Sequence, residues 1–87
     1  MTDGPGAVPV DLTGPATDVL RAVWGGVLGH ESIESEVGFF DLGATSVDVL
    51  RVVETLRYRW PQLRAVDVFL YPTVSTLAAF LEDQPTD

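Results

Sequence analysis

Between Thr45 and Pro61 the chain reads as one amphipathic helix. Val49, Val52, Val53, Leu56 and Trp60 fall within a single arc at 3.6 residues per turn. Such a stripe has to be buried against something, so the segment demands partner elements. Pro61 cannot continue the ladder and stops it. The spacing therefore predicts helix II over Ser46–Trp60, with Thr45 as its N-cap and Asp48 as a weak capping-box partner. The opposite side carries Val47, Arg51, Glu54 and Tyr58 in one stripe, with Leu50 on its flank. Val47 and Leu50 are thus apolar residues off the core face.

The partners are legible on both sides. Val19, Leu20, Val23, Trp24 and Val27 make a second stripe, helix I, starting near Thr13-Gly14-Pro15. Pro15 suits a first turn, where its missing N–H is not needed. Gly25-Gly26 weakens this helix, by about 1 kcal/mol per glycine against alanine, and places its end by Gly29. Val74, Leu77, Ala78 and Leu81 make helix IV, capped by Thr73 after Pro72. The run Ala65–Leu70 fits a short helix III or a short buried strand, and periodicity alone does not choose. A long helix I–II loop, residues 29–45, holds Glu31, Glu34, Glu36 and Asp41, with Ile33, Val37, Phe39 and Phe40 as apolar anchors. The expected fold is an all-α four-helix bundle over residues 13–83, with flexible tails at 1–12 and 84–87.

At 87 residues this is one domain, of a size that buries only about 60% of the surface its unfolded chain exposes. Trp24 and Trp60 are expected in its core. With no cysteine there is no disulfide or thiolate metal site to add stability. The formal net charge of −8, with five arginines and no lysine, excludes a basic nucleic-acid footprint or docking on an anionic membrane. No apolar run approaches the ~20 residues of a membrane span. The N-terminus lacks the charged and apolar regions of a signal peptide, so a cytoplasmic monomer is expected. Met1 and the two polar ends favour a free-standing protein.

Few residues offer chemistry. Ser46, His30 and Asp41 supply the residue types of a hydrolase triad, but so small a domain leaves no room for a substrate cleft and oxyanion hole. A nucleophile elbow needs glycine two places before and after the serine, where Ala44 and Asp48 stand. The acids of the loop do not follow a calcium-loop spacing. No catalytic residue and no metal site are assigned. An unassisted serine hydroxyl is a weak nucleophile. At a helix N-terminus, however, it is exposed, rigidly placed and tolerant of a negative product, because free amides and a partial charge of about +0.5 favour phosphate there.

Asp41-Leu42-Gly43-Ala44-Thr45-Ser46 resembles the phosphopantetheine attachment motif of acyl and peptidyl carrier proteins. Phe39-Phe40 before it is similar to the paired aromatics of peptidyl carriers. Val68-Phe69-Leu70-Tyr71-Pro72-Thr73-Val74 with Leu77-Ala78 resembles the junction of their third and fourth helices. The resemblance spans roughly residues 15–82 and implies a four-helix carrier fold that catalyses nothing itself. It implies covalent 4′-phosphopantetheine on Ser46, with Asp41, Leu42, Gly43 and Thr45 as the attachment motif. A magnesium-dependent phosphopantetheinyl transferase would install the group from coenzyme A. An adenylation or acyl-loading enzyme would charge the arm as a thioester. Condensation, ketosynthase, tailoring or thioesterase domains would then receive it. Val47, Leu50, Arg51, Glu54 and Tyr58 fall where such carriers dock their partners.

Two departures matter. Ala44 stands where many peptidyl carriers have a second glycine. Helix II is not acidic: Asp48 and Glu54 face Arg51, Arg57 and Arg59, a net of +1. Fatty-acid carriers have an acidic helix II, so nonribosomal-peptide or mixed polyketide synthesis is favoured over a fatty-acid or polyketide acyl carrier. The remaining alternative is an unmodified helical interaction module with Ser46 free or phosphorylated.

Overall fold

The computed structural model describes residues 12–83, and the expected tails lie outside them except for Leu12. Four helices form, α1 (Ala16–Leu28), α2 (Ser46–Leu56), α3 (Ala65–Leu70) and α4 (Val74–Glu82), with a 3-10 turn at Phe40–Leu42. No strand occurs among the described residues; Gly38 and Thr73 make one isolated antiparallel bridge. The all-α bundle is as expected, and Ala65–Leu70 is resolved as helix.

The three amphipathic stripes meet in one core. Val19, Leu20, Val23 and Trp24 of α1 pack with Val49, Val52, Val53 and Leu56 of α2 and with Val74, Leu77, Ala78 and Leu81 of α4. Burying a side chain of this size contributes about 1.5–3 kcal/mol. At the centre Trp24 stacks on Phe39, ring centroids 3.9 Å apart and planes 15° from parallel. Both are fully buried.

α1 begins one residue after Pro15, which serves as N-cap with extended backbone and offers no side-chain acceptor. Glu82 of α4 takes that role from a distance: its Oε2 accepts the Ala16 N–H at 3.2 Å. A carboxylate also suits the positive end of the helix. The Gly25-Gly26 pair does not break α1. Gly29 ends it in the left-handed region, φ 75°, and the Gly29 and His30 amides both donate to the Gly25 carbonyl. A Cβ on Gly25 would lie 2.9 Å from the His30 carbonyl oxygen. The close approach that requires glycine there is thus the chain's own return.

α2 is shorter than the stripe suggests. It ends at Leu56, and residues 57–60 continue as tightened turns in which Tyr58 N–H donates to Thr55 O and Arg59 N–H to Leu56 O. Pro61 disfavours helical backbone at Trp60, so the ladder closes early. Trp60 still packs against the core, half-buried. Arg59 lies over its ring at 4.4 Å and donates through one Nη to the carbonyls of Leu12 and Gly14, each at 2.7 Å. Leu12 itself packs on the core, so the folded unit includes it.

α3 is capped by Asp67, whose carboxylate accepts the Arg64 N–H at 2.9 Å and pairs with the Arg64 guanidinium at 3.5 Å. Only Val68 of its apolar run is buried; Val66, Phe69 and Leu70 face outward. Thr73 caps α4 through Thr76, as expected.

Candidate functional site around Ser46

The 29–45 loop is long, but it is stitched down. Ile33 is buried, Arg21 donates to Ser35 Oγ, and the Ser35 carbonyl accepts the Ser75 N–H at 2.9 Å. Phe39 N–H donates to the Pro72 carbonyl at 2.7 Å. The residues before Ser46 are therefore fixed to the start of α4 as well as to α1.

From Phe39 the chain turns tightly. Its carbonyl accepts the amides of Leu42 at 3.0 Å and Ala44 at 3.2 Å. Gly43 closes the 3-10 turn at φ 96°, with its N–H on the Phe40 carbonyl. That backbone is costly for an L side chain, which explains the glycine of the motif. Leu42 is half-buried against the core, whereas Asp41 is exposed. The paired aromatics divide their work. Phe39 goes inward onto Trp24. Phe40 does not anchor the loop in the core: it is 38% exposed and stacks on Phe69 of α3 at 5.2 Å.

Thr45 then caps α2. Its Oγ1 accepts the Asp48 N–H at 3.3 Å, and Asp48 Oδ2 accepts the Thr45 N–H at 2.9 Å. Ser46 is the first residue of the helix and is exposed. Among the described residues its amide and that of Val47 have no partner, as expected for a first turn. One exposed hydroxyl thus stands beside two free donors at the positive end of an 11-residue helix. No hydrogen bond joins Ser46 to His30 or Asp41. Among the described residues, no three His, Cys, Asp or Glu side chains gather into a metal site.

The other expected residues surround it. Val47 is 57% and Leu50 54% exposed, and Arg51 and Glu54 are exposed on the same helix. Tyr58 is exposed too, but it lies in the turn beyond α2 and not on the helix. Sequence reasoning missed a second apolar surface, Phe40 with Val66, Phe69 and Leu70. The available signal was the crowding of α3: a six-residue helix cannot bury four large apolar residues on one side.

The geometry matches known proteins. The phosphopantetheine attachment site family matches residues 18–81. A plipastatin synthase component of Bacillus subtilis (strain 168) is 37% identical over 68 residues, covering 78% of this chain and 2% of that protein. Tyrocidine synthase 1 of Brevibacillus parabrevis is 33% identical, covering 74% of this chain and 6% of that one. The chain therefore spans only a few per cent of these relatives' length. A solved structure described as a nonribosomal PCP domain superposes with a TM-score of 0.67 at 35% identity, covering 79% of this chain and 90% of that one. An A-PCP structure of McyG complexed with phenylalanyl-adenylate gives 0.73 at 37% identity, over 79% of this chain and 11% of that one. The family carries 4′-phosphopantetheine covalently, and an exposed hydroxyl with free amides beside it fits that group. By fold, by motif and by the span of the match, the chain belongs to the phosphopantetheine-attachment carrier family, and its relatives are peptidyl carrier domains of nonribosomal peptide synthetases.

Proposed function

We propose that Ser46 is the attachment point and that the protein is a non-catalytic peptidyl carrier. The observation that carries this is the placement of Ser46: exposed, first in α2, and held between a left-handed Gly43 and the Thr45 cap. In the transfer, Ser46 Oγ bonds to the phosphorus of the pantetheine phosphate of coenzyme A. The bond to the adenosine bisphosphate breaks, that group leaves, and the serine proton passes to the transferase. Among the described residues no base is hydrogen-bonded to Ser46, so the base comes from the transferase, with magnesium. The free Ser46 and Val47 amides stabilise the anionic phosphodiester at the helix end. When attached, the group supplies a thiol on a flexible arm, the site of thioester loading.

Partners then find the serine through the exposed side of α2. Val47, Leu50, Arg51 and Glu54 form that handle, with Tyr58 at its far end. An adenylation or acyl-loading enzyme charges the arm, and condensation, tailoring or thioesterase domains receive the cargo. α2 carries only Asp48 and Glu54 against Arg51, with Arg57 and Arg59 in the turn beyond it, so this surface is not strongly acidic, which favours peptide or mixed polyketide synthesis over fatty-acid enzymes with basic docking patches. Among the described residues, no helix is long and apolar enough to cross a membrane.

The test is intact-mass measurement after incubation with coenzyme A, magnesium and a broad-specificity transferase. A gain of one phosphopantetheine is expected, absent in Ser46→Ala. No gain in the parent protein, or a gain that survives Ser46→Ala, refutes the assignment.

A further inference from the structure

The residue that orients Ser46 for modification lies two places after it. We propose that Asp48 is a positioning residue for the transfer reaction, acting through Thr45 and not by contact with the reacting atoms. This rests on the Ser46 assignment above.

The hydrogen bonds argue it. Asp48 Oδ2 accepts from Thr45 twice, from the backbone N–H at 2.9 Å and from Oγ1 at 3.2 Å. Thr45 Oγ1 in turn accepts the Asp48 N–H at 3.3 Å. The clip joins the residue before Ser46 to the residue two after it, so the serine is bracketed. Upstream, the Ala44 amide is held by the Phe39 carbonyl at 3.2 Å. Downstream, the Val49 amide is held by the Thr45 carbonyl at 3.0 Å. Between Ala44 and Val49 every amide is engaged except those of Ser46 and Val47. The clip therefore does two things. It fixes the backbone that carries the hydroxyl, and it occupies the flanking donors so that only the two beside the serine remain for the incoming phosphate. Without the clip, the first turn of α2 frays just where the hydroxyl must be presented. Upstream, Gly43 contributes only its backbone bond to the Phe40 carbonyl at 3.2 Å and no side-chain restraint.

Three variants separate positioning from charge. Asp48→Ala removes the clip. Asp48→Asn keeps an acceptor for Thr45 and removes the charge. Thr45→Ala removes the clip from the other side. The readouts are the initial rate of mass gain at varied apo-protein concentration and the amide hydrogen exchange of Thr45, residue 48 and Val49, the bonded amides of that turn. The expected result for Asp48→Ala is a kcat lowered about fivefold, KM within about twofold of the parent, and exchange about fivefold faster in that turn, the scale of a lost cap. Asp48→Asn should stay within about twofold of the parent in both readouts. Combining Thr45→Ala with Asp48→Ala should give a protein no slower than the slower single variant, because both break one clip. Should Asp48→Ala fail to fold, Thr45→Ala carries the same comparison.

An Asp48→Asn protein as slow as Asp48→Ala would mean that the carboxylate charge meets the transferase directly, and would overturn the proposal. A raised KM with unchanged kcat would do the same, as would parental exchange in Asp48→Ala. If the parent protein gains no mass, the Ser46 assignment itself has failed, and the exchange result still judges the clip.

Discussion

Adjacent phenylalanines offer the sharpest test of this structure, because the same substitution should have very different effects at the two. Phe39 is fully buried and stacked on Trp24; Phe40 is 38% exposed and leans on Phe69 at the surface. Truncating a fully buried phenylalanine to alanine costs about 3–5 kcal/mol, since the lost burial is joined by a cavity. The surroundings offer little to a water. Trp24 Nε1 is the one buried side-chain polar atom without a partner among the described residues, and a cavity water needs two or more. At Phe40 roughly six-tenths of the burial is lost and solvent fills the gap, so about 1 kcal/mol is expected. A domain of 87 residues has about 4–13 kcal/mol in all. Phe39→Ala thus removes a large share, lowering the melting midpoint by about 12 °C or more, against about 4–8 °C for Phe40→Ala. Urea and thermal melts followed by circular dichroism and tryptophan fluorescence measure both. Equal losses, or a Phe39→Ala loss below about 2 kcal/mol, would refute the placement of the pair.

Three further outcomes are expected. Gly43→Ala meets no neighbour within 4 Å but keeps φ 96°, so it should cost about 1–2 kcal/mol by backbone strain alone; an unchanged melt would show that the turn relaxes. Glu82→Ala leaves the Ala16 N–H without its acceptor and should cost about 0.5–2 kcal/mol, like any lost N-cap, with faster amide exchange in the first turn of α1. Arg51→Glu should slow loading by a cognate partner several-fold while the helical circular dichroism is unchanged; undiminished loading removes Arg51 from the docking surface.

What the sequence made legible was what is local. The stripes of α1, α2 and α4 repeat at a fixed period, and the caps Thr45 and Thr73 sit next to the helices they start. Ser46 was therefore placeable from its immediate neighbours. What stayed hidden is what depends on distant partners. Nothing in Phe39-Phe40 says which ring goes inward; that is decided by Trp24 on one side and Phe69 on the other. The early end of α2 follows from Pro61 together with the half-buried seat of Trp60, and the stripe carried no sign of it. The outward face of α3 depends on how few residues a six-residue helix can bury. The seams that hold the loop, Ser35 to Ser75 and Phe39 to Pro72, join segments more than thirty residues apart, and no pattern in either segment marks them.

These seams bear on what a carrier must do. A hydroxyl that several enzymes have to find needs a fixed position, yet a domain this small has little stability to spread around. The structure concentrates restraint on the approach to Ser46. The central stack of Trp24 on Phe39 lies one 3-10 turn upstream, and the same Phe39 holds the Pro72 carbonyl and two loop amides. Beyond Ser46 the opposite holds. Seven large hydrophobic side chains are exposed among the described residues, and Val47, Leu50, Tyr58, Val66, Phe69 and Leu70 all follow the serine in sequence. Such exposure invites self-association. The net charge of −8 opposes it by mutual repulsion, and of the thirteen acids only Asp48 and Glu54 fall within α2. On the proposed reading, the exposed apolar side chains that follow Ser46 are the ground that partner enzymes meet, and like charge on copies of the chain opposes their pairing with one another there.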